Sequence, residues 1–228
     1  MVITTRHGRV QTPVFMPVGT AASVKALSPA DLKSIGTQII LANNYHLYLR
    51  PGPKALKNLG GIHSFMNWDR PVLTDSGGFQ LMSLGKEDVS LCRIDDAGVT
   101  FRSHLDGGSL HRFTPEIAIR SQMDIGADII MAFDCPVPIG ADYQTAKVCI
   151  RRTHAWLTRC IQVWDRKSQL FGIIQGGPFP DLLRESAKFV IDQDLPGIAV
   201  GGAVIDLGLE HALARAAGHD QFPQMLGR

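Results

Sequence analysis

Residues 128–134 read DIIMAFD, an uninterrupted apolar run between two aspartates. Apolar runs without polar alternation are typical of strands that are buried on both faces of a sheet. Five further runs share this character: PVFMPVG (13–19), TQIILAN (37–43), PVLTD (71–75), FGIIQG (171–176) and GIAVGG (197–202). The repetition predicts a parallel sheet that is covered by helices.

Amphipathic segments between the runs predict the covering helices. In SPADLKSIG, Ser28 is the expected N-cap and Pro29 the first helical residue, and Thr114 and Pro115 hold the same places in TPEIAIRSQMDIGA. Two longer segments are DYQTAKVCIRRTHAWLTRCIQVWDRK and PDLLRESAKFVIDQD. Successive β-α units are compatible with an open doubly wound sheet or with a (β/α)8 barrel.

Residues at the strand ends favour the barrel. No G-x-G-x-x-G follows the first run, so a dinucleotide-binding sheet has little support. In a barrel the carboxyl ends of the strands converge on one mouth, the usual catalytic face. The polar and glycine residues at these ends are Asn43, Asn44, Asp75, Asp134, Gln175, Gly201 and Gly202. We therefore predict an α/β fold of the (β/α)8 TIM-barrel type.

The number of strands falls short of a closed barrel. Six runs and a weaker seventh, FPQML (222–226), give about six to seven of eight strands. Segment 83–110 interrupts the rhythm, and its VTFRSHL stretch and DGG turn predict a β-hairpin insertion. No interdomain linker is visible, so residues 1–228 are expected to form a single domain. The expectation is an incomplete barrel in a fragment or a truncated homologue.

Composition limits the class of protein. The chain has 228 residues, a formal charge of +2 and 45% hydrophobic residues, as in an ordinary globular enzyme. No apolar run approaches the ~20 residues that span a bilayer, and no secretory signal is visible, so we expect a cytoplasmic protein without membrane contact. The four cysteines lack C-x-x-C spacing, which argues against a disulfide framework and a four-cysteine zinc site.

The motif TDSGGFQ (74–80) carries the clearest chemical signal. The strand brings Asp75 to the mouth, the following Ser-Gly-Gly allows a tight turn with free N–H groups, and Phe79 offers a flat apolar surface. This set suits a planar polar ligand. The alternative is a plain strand-turn in which Asp75 caps a helix.

The other strand ends leave two interpretations open. Asp134 is a strand-end cap or an acceptor that reads a ligand, and the amide of Gln175 is suited to a nucleobase edge or is a satisfied side chain of the mouth. Gly201 and Gly202 allow a ligand to approach the backbone, or mark a turn. His46 is expected to be a structural hydrogen-bonding residue rather than a base.

Together these segments strongly resemble the tRNA-guanine transglycosylases, also called queuine tRNA-ribosyltransferases. The resemblance runs from about Thr4 to Val204. It is carried, in order, by VGTAASVKALSPADLKSIGTQIILANNYHLYLRPG, FMNWDRPVLTDSGGFQLMSL, GVTFRSHLDGG, TPEIAIRSQMDIGADIIMAFD, LFGIIQGG and GIAVGGA. It implies a (β/α)8 glycosyltransferase (pentosyltransferase) that exchanges the wobble guanine of tRNA for queuine or another 7-deazaguanine, as part of queuosine biosynthesis.

The resemblance also implies roles for residues. Asp75 is the proton acceptor, Asp134 reads the Watson–Crick edge of the purine, and Gln175 and Gly202 complete the contacts to the base. The implied substrate-binding set is Asp75, Ser76, Gly77, Gly78, Phe79, Asp134, Gln175 and Gly202. The implied partners are tRNA, guanine or a 7-deazaguanine base, and a second subunit in a homodimer or heterodimer of the full-length form.

The sequence departs from the family pattern in several places. The block D-x-F-D-C-V-x-P-T-R with the nucleophilic aspartate, the zinc-binding C-x-C-x-x-C with its histidine, and the basic tRNA-binding stretch are not found. We therefore expect no metal or cofactor in this chain, zinc only in a full-length parent, and no turnover by this chain alone. Asp206 and Glu210 have no family counterpart. The alternative function is a non-catalytic base- or RNA-binding paralogue or accessory subunit, and a DNA-directed relative also stays open.

Overall fold

The computed structural model describes residues 1–87 and 91–201. In chain order the elements are β1 (Val2–Thr5), β2 (Gly8–Gln11), α1 (Pro29–Ser34), β3 (Ile40–Ala42), α2 (Asn44–Leu49), α3 (Pro53–Asn58), α4 (Gly61–Met66), β4 (Val72–Thr74), α5 (Gly78–Glu87), β5 (Cys92–Asp95), β6 (Gly98–Arg102), β7 (Leu110–Phe113), α6 (Pro115–Ile125), β8 (Ile129–Met131), α7 (Tyr143–Val163), β9 (Gln169–Ile174), α8 (Pro180–Ile191) and β10 (Gly197–Val200). No helix within these residues is long and apolar enough to cross a membrane.

The central sheet is parallel, with the strand order β10-β9-β8-β4-β3. Neighbours in the sheet are also successive strands of it along the chain, and helices lie between them, so the fold is mixed α/β as predicted. Five of the six apolar runs form these strands. The first run, 13–19, instead contributes an isolated parallel bridge between Val18 and Leu41. The weak seventh run, 222–226, lies outside the described residues.

Helix starts follow the sequence signals. Ser28 and Asp31 form a reciprocal capping box: the Ser28 side chain accepts from the Asp31 N–H at 3.2 Å, and the Asp31 carboxylate accepts from the Ser28 N–H at 2.8 Å. Thr114 caps α6 in the predicted way by accepting from the Ile117 N–H. The short helices α2 to α4 were not predicted, because six residues are too few to show a helical period.

The insertion contains more structure than a hairpin. The predicted strand VTFRSHL ends at Arg102, and β6 pairs with β7 across the DGG turn. A third antiparallel strand, β5, pairs with the other edge of β6. The charged sequence of β5 hides it from pattern analysis, and Arg112 holds it by a 2.6 Å ion pair with Asp95.

The β1–β2 hairpin packs against the sheet near the amino ends of the strands. Val10 of this hairpin belongs to one buried cluster with Ile39, Leu73 and Ile129. The hairpin therefore covers the end of the sheet opposite to the predicted site.

Gln122 of α6 fastens two strands from within the core. Its amide oxygen accepts from the Thr74 hydroxyl at 2.9 Å and from the Met131 N–H at 2.8 Å. Its amide nitrogen donates to the carbonyls of Met131 at 2.9 Å and Ala118 at 3.1 Å. All four bonding positions of a fully buried side chain are thus satisfied, which fixes the spacing of β4 and β8 below their carboxyl ends.

We predict that Gln122→Leu destabilises the protein by roughly 3 kcal/mol, because it removes the partner of the part-buried N–H and C=O of Met131 and of the buried Thr74 hydroxyl. Urea unfolding followed by circular dichroism measures the loss. Gln144→Leu, on the exposed face of α7, serves as the matched control. Equal stability of the two variants would contradict this role of Gln122.

Candidate active site

A cavity of about 280 Å³ opens at the carboxyl ends of the central strands. The predicted residues that line it are Asp75, Ser76, Gly77, Phe79, Asp134, Gln175 and Gly201. Gly78 packs directly behind this wall, against Asp134. Gly202 lies outside the described residues. The structure thus brings together residues that are 126 positions apart in the chain (75 to 201).

Asp134 is the buried centre of the site, with 6% of its surface exposed. One carboxylate oxygen accepts from the Ser76 hydroxyl at 2.8 Å, and the other accepts from the Gln175 amide nitrogen at 2.7 Å. Ser76 follows β4, Asp134 follows β8 and Gln175 follows β9, which are neighbouring strands. Three adjacent strand ends therefore meet in one hydrogen-bonded chain.

Burial raises the pKa of the Asp134 carboxyl to about 6. The hydrogen bonds from Ser76 and Gln175 oppose this shift, since they stabilise the charged form, whereas the nearby charge of Asp75 adds to it. Asp134 therefore changes its protonation state close to neutral pH.

Asp75 is held on both of its oxygens. The Asn43 side-chain amide and the Gln80 side-chain amide, the latter at 2.9 Å, donate to one oxygen, and the Asn44 backbone N–H donates to the other at 2.9 Å. Burial raises the pKa of Asp75, although these donors oppose the shift. Its carboxylate is thus fixed by three neighbouring residues from two different segments, and the N-cap interpretation explains few of its contacts.

Gln80 was not predicted as a partner of Asp75, although it ends the TDSGGFQ motif. Asp75 precedes α5 and Gln80 lies within it, five positions further on, and the folded Gly-Gly turn brings the Gln80 amide to 2.9 Å from the Asp75 carboxylate. The pairing of Asn43 with Asp75 likewise comes from adjacent strands, β3 and β4. Sequence spacing indicates neither contact.

The two glycines of the motif are required by close packing. Gly77 has φ +86°, and a Cβ on Gly78 would lie 2.8 Å from the Asp134 carbonyl oxygen and 2.9 Å from its carboxylate. The Gly78 N–H donates to the Ser76 hydroxyl at 3.1 Å. Gly77 and Gly78 therefore allow the turn to pack closely against Asp134, and the turn positions the Ser76 hydroxyl.

Gln175 is oriented by three contacts. The side-chain amide nitrogen of Gln175 donates to Asp134, and the side-chain amide oxygen accepts from the Val137 N–H at 3.4 Å. The backbone N–H of Gln175 donates to the Ser186 hydroxyl at 3.1 Å. A Cβ on Gly201 would come within 2.5 Å of the Gln175 amide nitrogen. Gly201, which follows β10, thus leaves space for the Gln175 side-chain amide.

Most of the remaining lining of the cavity is apolar, and Gln80 and Ser83 are its further polar residues. Phe79 is 47% exposed at the rim, and Met82, Val137 and Val200 line the cavity as well. A largely apolar slot whose polar lining includes two carboxylates and the amides of Gln80 and Gln175 suits a flat ligand that has several hydrogen-bonding groups on its edge. Fold and site together define an α/β protein with a pocket for a planar polar ligand at the strand ends.

The sequence comparisons give the family. Residues 1–216 match the family described as "Queuine tRNA-ribosyltransferase", and the chain belongs to this family. The resemblance seen in the sequence is thereby confirmed.

Individual relatives carry the same name. The queuine tRNA-ribosyltransferase of Herpetosiphon aurantiacus is 56% identical over 199 residues, which are 87% of this chain and 50% of the relative. That of Acetivibrio thermocellus is 53% identical over 200 residues, 87% of this chain and 52% of the relative. That of Desulforamulus reducens is 52% identical over 201 residues, 88% of this chain and 53% of the relative. The chain spans about half the length of the curated relatives it matches.

We predict that Ser76→Ala raises the pKa of Asp134 above about 6, because the lost hydroxyl no longer stabilises the carboxylate. Carbon-13 NMR of the aspartate carboxyl groups as a function of pH measures the shift. Ser34→Ala is the control, since the Ser34 hydroxyl bonds to a backbone carbonyl at an exposed position. A lowered or unchanged pKa in Ser76→Ala would contradict the interpretation.

Proposed function

We propose that this chain provides the base-recognition part of a tRNA-guanine transglycosylase, a pentosyltransferase that exchanges the wobble guanine of tRNA for queuine or another 7-deazaguanine. The observation that carries the proposal is the Ser76–Asp134–Gln175 chain of hydrogen bonds beside Asp75 in one cavity. Family membership supports the same activity.

Asp134 is the group that selects guanine. An ionised carboxylate offers about four lone-pair positions, and Ser76 and Gln175 occupy two of them. The N1–H and N2–H groups of guanine are a donor pair that the remaining positions can accept. Adenine presents an acceptor at N1, so its edge is repelled by the same carboxylate.

In this proposal Gln175 and the backbone of Gly202 supply the opposite type of group. Amide and backbone N–H groups are donors, and the O6 and N7 atoms of guanine are acceptors. Gly202, which the proposal includes as a contact to the base, lies outside the described residues. Phe79 at the rim would cover the flat face of the base.

Asp75 is the proton acceptor in this proposal. The raised pKa of its carboxyl makes it a stronger base than an exposed aspartate, and Asn43, Asn44 and Gln80 hold it in one orientation. Such a group can take the proton from an incoming base or return one to the departing guanine.

Exchange at C1′ of the ribose also requires a nucleophile that holds the sugar while the bases change. Among the described residues that line the cavity, the carboxylates are Asp75 and Asp134, and both have other roles in the proposal. Asp206 and Glu210 lie outside the described residues. We therefore assign no nucleophile within the described part of the chain.

The wider setting is also part of the proposal. The sequential order of the parallel strands supports a sector of a (β/α)8 barrel. We propose tRNA as the polynucleotide substrate, a dimer in the full-length form, and a cytoplasmic location. The four cysteines are buried and none belongs to a described cluster of three ligand side chains, so these residues do not fit the family's zinc site, and no step is assigned to zinc.

We predict that guanine and 7-deazaguanine bind to the chain and that adenine binds at least tenfold more weakly. Asp134→Ala should lose detectable binding, because the donor edge of the base is left without a partner. Isothermal titration calorimetry at pH 7.5 is the measurement, with Asp192→Asn at an exposed position as the control variant. Undiminished guanine binding by Asp134→Ala would refute the proposed role.

Guanine affinity should depend on pH through Asp134. The ionised form accepts both N–H groups, and with a pKa of about 6 the ionised fraction rises about tenfold between pH 5 and 7. We therefore predict that affinity rises over this range and is constant above it. Calorimetry in Asp134→Asn, which lacks the titrating group, should give weak binding without this dependence. A wild-type affinity that falls with rising pH would contradict the sign.

Turnover by this chain would exclude the non-catalytic paralogue that the sequence left open. Incorporation of labelled guanine into unmodified tRNA with a G-U-N anticodon measures turnover. Base binding together with exchange that Asp75→Asn abolishes would support the transglycosylase. Base binding without exchange is the result expected of this chain, because no nucleophile is assigned within its described residues. A full-length relative that exchanges guanine under the same conditions is the positive control.

A further inference from the structure

A second polar cluster lies at the opposite end of the central sheet from the cavity. Asp128 directly precedes β8, His63 belongs to α4, and His7 stands in the turn between β1 and β2. The His7 Nδ1 atom is 2.8 Å from one Asp128 oxygen, and the His63 Nε2 atom is 3.0 Å from the other. Positions 7, 63 and 128 share no spacing pattern, so the sequence gives no signal for this group.

Burial divides the cluster into a fixed part and a movable part. The Asp128 side chain is 0% exposed and the His63 side chain 10%, whereas the His7 side chain is 36% exposed. The Val72 N–H donates to an Asp128 oxygen at 3.0 Å and orients the carboxylate. Among the described residues, solvent thus reaches the cluster mainly from the side of His7.

We propose that His7, His63 and Asp128 form a binding site for a divalent transition-metal ion such as Zn²⁺. Imidazole nitrogen and carboxylate oxygen are the ligand types that such ions accept. One candidate ligand atom from each residue lies within 4.8 Å of the others. Ligand bonds of about 2.0–2.2 Å require atoms at most about 4 Å apart, so small movements complete the site.

Metal binding requires a rearrangement that the structure permits. The two imidazole rings stack with centroids 3.5 Å apart and 16° between their planes, and in that arrangement they point at the two oxygens of Asp128 rather than at one common point. The His7 ring must turn, and its exposure and its place in a short turn allow this. Each ring also moves its proton to its other nitrogen, so that a lone pair faces the ion.

The bound ion would connect three segments that are distant in the chain. His7 belongs to the hairpin whose Val10 packs into the buried cluster at the amino ends of the strands. Asp128 is bonded to β4 through the Val72 N–H, and His63 is part of α4, the helix that precedes β4. An ion that binds only this folded arrangement stabilises it by mass action. The site shares no residue with the cavity, so its test is independent of the proposed function.

The experiment uses Zn²⁺ in calorimetry and Co²⁺ in absorption spectroscopy with the whole chain after treatment with a chelator. We expect one ion per chain, a Co²⁺ spectrum without thiolate charge-transfer bands, and a Zn²⁺-dependent rise in Tm. His7→Gln and His63→Gln should each weaken Zn²⁺ binding at least tenfold and remove the rise in Tm.

His111→Gln is the matched control, because His111 pairs with Asp106 at 3.0 Å and no second histidine of the described residues pairs with that carboxylate. Its Zn²⁺ binding should equal that of the wild type. His7→Gln, at a partly exposed turn, is the decisive variant, and circular dichroism verifies its fold. The proposal is overturned by absence of binding, by thiolate bands with Co²⁺, or by unchanged binding in folded His7→Gln, in which case the cluster is a hydrogen-bonded clamp only.

Discussion

A carboxylate buried where three strands end is the constraint on which the site depends. Asp134 has almost no contact with water, and a buried charge is stable only when hydrogen bonds replace the lost solvation. Ser76 and Gln175 provide those bonds from the two strands that flank β8. The position of β8 between β4 and β9 is therefore a requirement of the site's chemistry, because it places both donors beside the same carboxylate.

Close packing makes this network rigid. Gly78 and Gly201 leave space where a Cβ would collide with Asp134 and with the Gln175 amide. Gln122 fixes β4 against β8 one layer below, so the strand ends cannot shift relative to one another. A site that is held in position before the ligand arrives loses little conformational entropy on binding. This preorganisation is what one expects of a pocket that distinguishes between bases by their hydrogen-bonding edges.

The two ends of the sheet use the same residue type for different purposes. Asp134 at the carboxyl end lines the cavity, accepts from Ser76 and Gln175, and has a pKa raised to about 6 by burial. Asp128 at the amino end accepts from two histidines and from the Val72 N–H, and it connects the hairpin to the sheet. Both carboxylates are buried, so their hydrogen-bonding partners, rather than depth alone, distinguish the two sites.

The sequence by itself determined the parallel α/β sheet, the caps at Ser28 and Thr114, and the residues at the strand ends, because buried strands and helix starts leave local patterns of apolar and capping residues. It also gave the family, through long ordered motifs. Only the tertiary structure decided that Gln80 and Asn43 hold Asp75, that β5 joins the insertion, and that His7 and His63 meet at Asp128. These contacts join residues that are distant in the chain or across a turn, and no local period records them.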